Sequence, residues 1–113
     1  MDRYEMRLFP RYFEELKRGN KRIEIRCNDN KRKMIKEGDI IEFSNASSGE
    51  KIITLVKSTE RCNSFDELVY RHLPREFGFQ DMTHMDVIKE LRKIYSEEEE
   101  QSLGVVGIEI EKM

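Results

Sequence analysis

The chain has 113 residues, of which 37% are hydrophobic and 39% charged, and its net charge is −2. A chain of this length favours a single domain, predicted here to span residues 1–113, and we expect a monomer. No window approaches the roughly 18 apolar residues that a membrane span needs. The first residues also lack the apolar segment of a secretory signal, which predicts a cytoplasmic protein without membrane contact.

Charge is unevenly distributed along the chain. Nine lysines and arginines lie from Lys17 to Lys36 against two acidic residues, whereas Glu97 to Glu100 are four consecutive glutamates. The overall charge predicts no general attraction to nucleic acid, so any such binding must be local. A solvated surface accounts for the basic stretch as readily as a binding site does.

The first predicted elements are two strands around a helix. Residues 4–8 alternate loosely as a strand. Pro10 suits the first turn of a helix over 11–18, and Gly19 suits its end. Residues 21–27 form the second strand, in which isoleucines alternate with charged residues. One face of this strand is therefore predicted to be apolar and the other charged.

The next segment predicts a hairpin. Residues 31–35 can form a helical turn, and the Gly38-Asp39 turn leads into a third strand over 40–43. A polar loop then connects to a fourth strand over 51–58, which is rich in β-branched residues and can continue to Arg61.

The second half is mainly helical. A capping box at Ser64 predicts a helix over 65–73, which ends at Pro74 and is followed by an irregular stretch over 75–82. The sequence of this region therefore predicts one helix and a loop before the next capping residue.

Thr83 caps a helix predicted over 84–95, and residues 96–99 can start a further short turn. A last strand over 103–111 places its apolar residues on one face. Strands early, helices late and a closing strand indicate an α+β fold with about five strands and three helices, not alternating βαβ units.

The two cysteines, Cys27 and Cys62, lie far apart and have no CxxC partner, which predicts two free thiols. A zinc site needs more clustered Cys or His ligands than the sequence offers. No metal and no cofactor is therefore expected.

The charged face of the second strand is the candidate site. Lys21, Arg22, Glu24 and Arg26 lie on one short segment. Ammonium and guanidinium groups on one face form an anion site, and a carboxylate between them holds them in place. A surface strand with ion pairs worth about 0 to 1 kcal/mol each explains the same spacing.

The same segment carries a family resemblance. A helix ending in Gly-x-Lys, a strand ending in x-Arg and a Gly-Asp turn into an apolar strand resemble the ASCH domain of the PUA-like superfamily. The resemblance includes Phe9-Pro10 and the terminal strand, and so covers nearly the whole chain. The matching residues are Gly19, Lys21, Ile23, Glu24, Arg26, Gly38, Asp39 and Phe43.

The resemblance implies a PUA-like mixed or antiparallel β-barrel of five to six strands with about three flanking helices. It also implies a basic cleft for RNA, a nucleoside or a nucleotide. The implied ligand-binding residues are Lys21, Arg22, Glu24, Arg26, Gln80 and Asp81.

Some small ASCH-type proteins are amidohydrolases that deacetylate acetylated cytidine with a lysine, a hydroxyl nucleophile and an acid. Here Lys21 matches the lysine, Glu24 stands at the nucleophile position, and the acid position falls near Gln80 and Asp81. Two catalytic identities are thus absent, so hydrolysis would need Glu24 as a general base and Lys21 as the oxyanion stabiliser.

Three functional hypotheses follow. The first is an RNA- or nucleotide-binding module, with Tyr12, Tyr70 and Phe79 as candidates for stacking on a base. The second is a small hydrolase of a modified nucleoside or RNA that uses Lys21 and Glu24. The third is an interaction domain without a small ligand.

Overall fold

The protein's computed structural model describes residues 1–113 as a five-stranded mixed sheet with five α-helices and one 3₁₀ helix. The strands are β1 (Arg3–Leu8), β2 (Ile23–Cys27), β3 (Ile40–Asn45), β4 (Lys51–Cys62) and β5 (Val105–Lys112). The helices are α1 (Pro10–Arg18), α2 (Asn30–Lys33), α3 (Phe65–Val69), α4 (His84–Ile94) and α5 (Glu97–Leu103), with the 3₁₀ helix at Pro74–Phe77. The α+β class and the number of strands are confirmed.

The sheet has the strand order β1-β3-β4-β5-β2, so β1 and β2 are its two edges. β1 pairs with β3 in parallel, and all other neighbours are antiparallel. The sheet curls into a half-barrel that brings its edges together. Arg26 on β2 donates from Nη2 to the carbonyl oxygen of Arg7 on β1 at 2.9 Å. The gap between these two strands is the open seam of the barrel.

Apolar residues pack on both faces of the sheet. On one face, α3 and α4 cover β2 and one end of β5, and the largest fully buried side chains there are Phe65, Phe77 and Leu68. On the other face, α1 covers β1, β3 and the rest of β5, with Phe13 and Phe43 fully buried. Burial on two faces explains why so small a chain needs apolar residues on nearly every element.

Alternation along β5 assigns its residues to the two cores. Val106, Ile108 and Ile110 belong to the α1 core, as their spacing predicted. Gly107 faces α3, where a Cβ atom would lie 3.0 Å from Cδ1 of Leu68. A larger residue at position 107 would therefore require the Leu68 side chain of α3 to move.

The structure has more helices than the three predicted, because two stretches predicted as single turns are short helices. The side chain of Asp29 accepts from the backbone N–H of Arg32, and that of Ser96 accepts from Glu99, which caps α2 and α5. None of the helices combines the length and apolar character needed to cross a membrane.

The helix predicted over 65–73 is shorter in the structure and ends at Val69. Leu73 has the extended backbone conformation (φ −84°, ψ 140°) that a following proline imposes, so the helix cannot run on to Pro74. Part of the stretch predicted as irregular forms the 3₁₀ helix, which begins at Pro74. This helix and the residues after it lie over the start of β2 and build one wall of the candidate site.

Candidate functional site

Lys21 is buried just before β2, with only 5% of its surface exposed. Its Nζ donates to the carbonyl oxygens of Ile23 at 3.0 Å and Phe77 at 2.9 Å, and it lies 3.0 Å from Oε1 of Glu24. A lysine ammonium has three N–H donors. All three therefore have a protein partner, which explains how this charge can be buried.

Gly78 makes room for the Lys21 side chain. This glycine has a φ of +95°, and a Cβ atom there would lie 3.2 Å from Cδ of Lys21. The 3₁₀ helix before it also bonds to the chain beside Lys21, since the backbone N–H of Arg22 donates to the carbonyl oxygen of Glu76 at 2.7 Å. The position of Lys21 thus depends on a segment more than fifty residues away in sequence.

Glu24 is the centre of a buried ionic cluster that also contains Lys21 and Arg26. One carboxylate oxygen is paired with Lys21, and the other accepts from Nε of Arg26 at 2.6 Å. Burial alone would raise the pKa of Glu24, but the two neighbouring cations outweigh it and hold this pKa below its usual value. Glu24 is therefore a permanent anion and a weak proton acceptor at neutral pH.

Arg26 is the member of this cluster that reaches the surface, with 19% of its side chain exposed. Burial opposes its charge, yet Glu24 outweighs burial and keeps the pKa of Arg26 above its usual value. Its Nε bonds to Glu24 and its Nη2 to the Arg7 carbonyl oxygen, whereas Nη1 has no partner. Arg26 therefore has N–H donors available for a ligand.

A cavity of about 410 Å³ lies at the open seam beside this cluster. We call it the aromatic cavity. Its size falls in the usual range for small-ligand sites, and most of its lining residues are hydrophobic. Lys21, Glu24 and Arg26 contribute its charged wall. Its aromatic lining residues are Phe9, Tyr12, Phe77, Phe79 and Tyr95.

Two large apolar side chains at the aromatic cavity are exposed to solvent. Phe9, between β1 and α1, is 60% exposed, and Ile94, at the end of α4, is 54% exposed. Deeper in, the rings of Tyr12 and Phe79 pack against each other with centroids 5.0 Å apart. The cavity therefore has a packed aromatic wall and an accessible apolar mouth.

The structure brings together three of the six predicted ligand-binding residues. Lys21, Glu24 and Arg26 line the aromatic cavity, whereas Arg22, Gln80 and Asp81 do not. The Arg22 side chain is 64% exposed and turns away to pair with Glu76.

Gln80 and Asp81 lie in the connection between the 3₁₀ helix and α4, and both are exposed to solvent. Asp81 has a φ of +56°, the left-handed conformation that an aspartate in a turn tolerates. This turn directs the connection toward Thr83, the capping residue of α4. The two residues therefore serve the turn geometry and stand apart from the cavity.

Two of the three predicted stacking residues, Tyr12 and Phe79, line the cavity, whereas Tyr70 stacks on His84 elsewhere. The contributions of β1 and of the end of α4 to the cavity were not predicted from the sequence. The apolar stripe of α4 continues to Ile94, and Tyr95 follows it directly, which was a usable signal for this end of the helix. The lining residues missed include Arg7, Phe9, Glu90 and Tyr95.

The two cysteines do not line the aromatic cavity. Cys27 and Cys62 are both buried and unpaired, and each pairs across the sheet with Val105, so that β5 separates them. The structure contains no group of three His, Cys, Asp or Glu side chains that could hold a metal ion.

Comparison with known proteins identifies the family. The sequence matches the ASCH domain over residues 6–113. The crystal structure of hypothetical protein PH0355 is similar with 36% identity and a TM-score of 0.88, covering 98% of this chain and 99% of that one. The solution NMR structure of protein PF0455 from Pyrococcus furiosus is 36% identical with a TM-score of 0.76, covering 98% and 97%.

A comparison with curated proteins gives no match. The family match, however, covers nearly the whole chain, and the half-barrel agrees with both solved structures. The chain therefore belongs to the ASCH domain family, a PUA-related group of generally RNA-binding character.

Proposed function

We propose that this protein is an RNA- or nucleotide-binding module that holds one base in the aromatic cavity, beside the cluster of Lys21, Glu24 and Arg26. The observation that carries the proposal is the position of this cluster on the wall of an open, aromatic-lined cavity. We further propose that the protein acts as a monomer in the cytoplasm.

The apolar part of the cavity suits the faces of a base. Phe9 is mostly exposed at the mouth, while Tyr12 and Phe79 form the inner wall. Stacking of a base on an aromatic side chain stabilises binding by about 1–3 kcal/mol and is tolerant of base identity. Phe9 is the residue from which this stacking free energy is expected, because its side chain is exposed.

The polar part of the cavity suits the edge of a base. Arg26 keeps Nη1 unpaired, and Glu90 and Tyr95 also line the cavity. These groups supply both donors and acceptors for hydrogen bonds to base edges. Burial raises the pKa of the Tyr95 hydroxyl, so it stays a neutral donor and acceptor at physiological pH.

The geometry favours binding over hydrolysis. Lys21 has no N–H left for an oxyanion, since all three are used within the protein. Glu24 has both oxygens engaged and a lowered pKa, which makes it a weak general base. Gln80 and Asp81, at the acid position of the related amidohydrolases, do not line the cavity.

The binding proposal is tested with a fluorescently labelled single-stranded RNA of mixed sequence, titrated by anisotropy. Phe9→Ala is expected to weaken binding by about 1–3 kcal/mol because it removes a stacking surface. Tyr70→Ala is the matched control, since Tyr70 is 56% exposed but lies outside the cavity. Equal affinities of wild type and Phe9→Ala, or an equal loss in Tyr70→Ala, would contradict the proposal.

The hydrolase hypothesis is tested with acetylated cytidine. We expect no release of acetate by wild type above that of a Glu24→Gln variant, measured by chromatography of the nucleoside. Deacetylation by wild type that is lost in Glu24→Gln would contradict the binding proposal and support the hydrolase hypothesis.

A further inference from the structure

A second concavity, of about 560 Å³, runs along β1 beside the aromatic cavity. We call it the basic groove. Two glutamates, Glu5 and Glu42, also line it, but cations outnumber them although the whole chain has a net charge of −2. Such a local excess of positive charge attracts an anion. Its cationic residues are Arg7, Arg26, Lys31, Arg32 and Lys51.

Two arginines join the groove to the aromatic cavity. Arg7 and Arg26 line both concavities, so their side chains form the shared wall. The exposed guanidinium of Arg7 forms no hydrogen bond or ion pair in the protein, and Arg26 keeps Nη1 unpaired. Guanidinium groups with free N–H donors are well suited to a phosphate, which they bind through paired hydrogen bonds.

The groove continues beyond this junction with further cations. Lys31 uses one of its three donors on the carbonyl oxygen of Glu5, and the only carboxylate near Lys51 is Glu42 at 3.9 Å. The Arg32 guanidinium is paired through Nη1 with Asp29 at 3.0 Å, so Asp29 offsets its charge and the two lysines are the cations available in this part of the groove. Positive groups thus follow one another along the groove, a distribution that suits more than one phosphate.

We infer that the basic groove holds the phosphodiester backbone of a single RNA strand, with Arg7 and Arg26 at the phosphate attached to the nucleoside in the aromatic cavity. This inference rests on the proposed function. It assigns the ligand class as an RNA strand. Lys31 and Lys51 of the groove then contact the next phosphates of this strand. A mononucleotide has the same phosphate chemistry at the junction but would leave the rest of the groove unused.

The experiment compares three ligand sets by isothermal titration at fixed salt: the four ribonucleosides, their 5′- and 3′-monophosphates, and mixed-sequence RNA tetranucleotides. Arg7→Ala is expected to weaken the binding of monophosphates and tetranucleotides about tenfold, which corresponds to the loss of one charge-assisted hydrogen bond. The affinity for nucleosides should not change. Lys51→Ala is expected to weaken only the tetranucleotides. When the tetranucleotide titrations are repeated over a series of salt concentrations, each variant should also reduce the slope of log affinity against log salt by about one.

Arg75→Ala is the matched control, because Arg75 is exposed, lies outside both concavities and forms no ion pair. It should bind every ligand like wild type. Equal affinity of monophosphates and tetranucleotides, with no effect of Lys51→Ala, would overturn the RNA strand in favour of a mononucleotide. An effect of Arg7→Ala on nucleosides as large as that on RNA would overturn the phosphate role.

Phe9→Ala separates failure of this inference from failure of the proposed function. If Phe9→Ala weakens RNA binding while Arg7→Ala and Lys51→Ala do not, the groove assignment is wrong and the base-binding cavity stands. If wild type binds none of the ligands, both are wrong.

Discussion

At the scale of single residues, the site depends on a buried lysine whose role is structural. Lys21 and Glu24 are both nearly inaccessible, and Lys21 bonds only to groups of the protein. Their pairing fixes Glu24, and Glu24 fixes the guanidinium of Arg26 at the cavity. The buried pair thus positions the residue that is free to contact a ligand.

Glu24→Ala is therefore expected to be strongly destabilising. It leaves the Lys21 ammonium buried without a counter-charge, and breaking a buried ion pair costs about 3–5 kcal/mol of unfolding free energy. Urea unfolding followed by circular dichroism measures this change. Glu111→Ala is the control, because its pair with Lys57 is exposed and worth about 0 to 1 kcal/mol. Similar losses of unfolding free energy in the two variants would show that the buried pair stabilises the protein no more than an exposed pair does.

The sequence identified a charged segment but not which of its members meet at the cavity. Lys21, Glu24 and Arg26 lie in one short segment, and a surface strand explains the same spacing. Arg22 has the same chemistry in the same segment, yet Glu76 draws it away. The partners of a charged side chain come from distant segments, so local spacing cannot decide which cations face the cavity.

At the scale of elements, the sequence predicted the presence of helices and strands better than it predicted where they end. Capping residues and alternation predicted the presence of all five strands and the helix at 84–95, but β4 runs four residues beyond residue 58 to Cys62, and β5 begins at Val105 because Leu103 ends α5. The helix predicted over 65–73 ends at Val69, because the next residues form a turn in which the N–H groups of Arg71 and His72 bond to carbonyl oxygens three residues earlier. The position of the 3₁₀ helix over Lys21 is a tertiary contact without a local signal.

The position of the cysteines follows from strand order. Cys27 on β2 and Cys62 on β4 lie opposite Val105 from either side, so two strand spacings of about 4.8 Å each separate them. A disulfide needs Cα atoms closer than about 7 Å, so the native fold cannot form one.

Both thiols should accordingly be slow to react. Burial raises the pKa of Cys27 to about 11 and also raises that of Cys62, so little thiolate is present at pH 8. We expect iodoacetamide to modify neither cysteine in the native protein and both in denaturant, as measured by intact mass. Rapid labelling of the native protein, or a mass loss of about 2 Da without reductant, would contradict this arrangement.

At the scale of the whole molecule, several carboxylates are held ionised by the fold. Burial opposes the ionisation of Glu24 and Asp39, but the cations beside Glu24 and the backbone N–H groups of Asp2 and Lys36 at Asp39 lower both pKa values. The N–H of Leu73 is the main cause of the lowered pKa of Glu76. The unfolded chain, with ordinary values of 4.5 for Glu and 3.8 for Asp, thus binds protons more readily.

Between about pH 5 and pH 7 stability should consequently be constant, and it should fall as the pH decreases through about 4.5 and below, because unfolding then takes up protons. Each proton taken up steepens the fall by about 1.4 kcal/mol per pH unit. Thermal unfolding followed by circular dichroism from pH 7 to pH 3 measures the profile. A melting temperature that rises on acidification would contradict the assignment of these carboxylates.

Asp39→Asn tests whether the fall comes from the ionised carboxylates themselves. Asp39 accepts backbone N–H groups with both oxygens, at 3.0 Å each, and an amide oxygen can accept only one of these bonds. The variant should be less stable at pH 7 but lose less stability between pH 5 and pH 3, since one proton-binding group is gone. Glu37→Gln, at an exposed carboxylate without an ion pair, should run parallel to wild type. Parallel profiles for all three proteins would mean that Asp39 does not contribute to acid unfolding, and the lowered pKa of its carboxylate would then have no thermodynamic consequence.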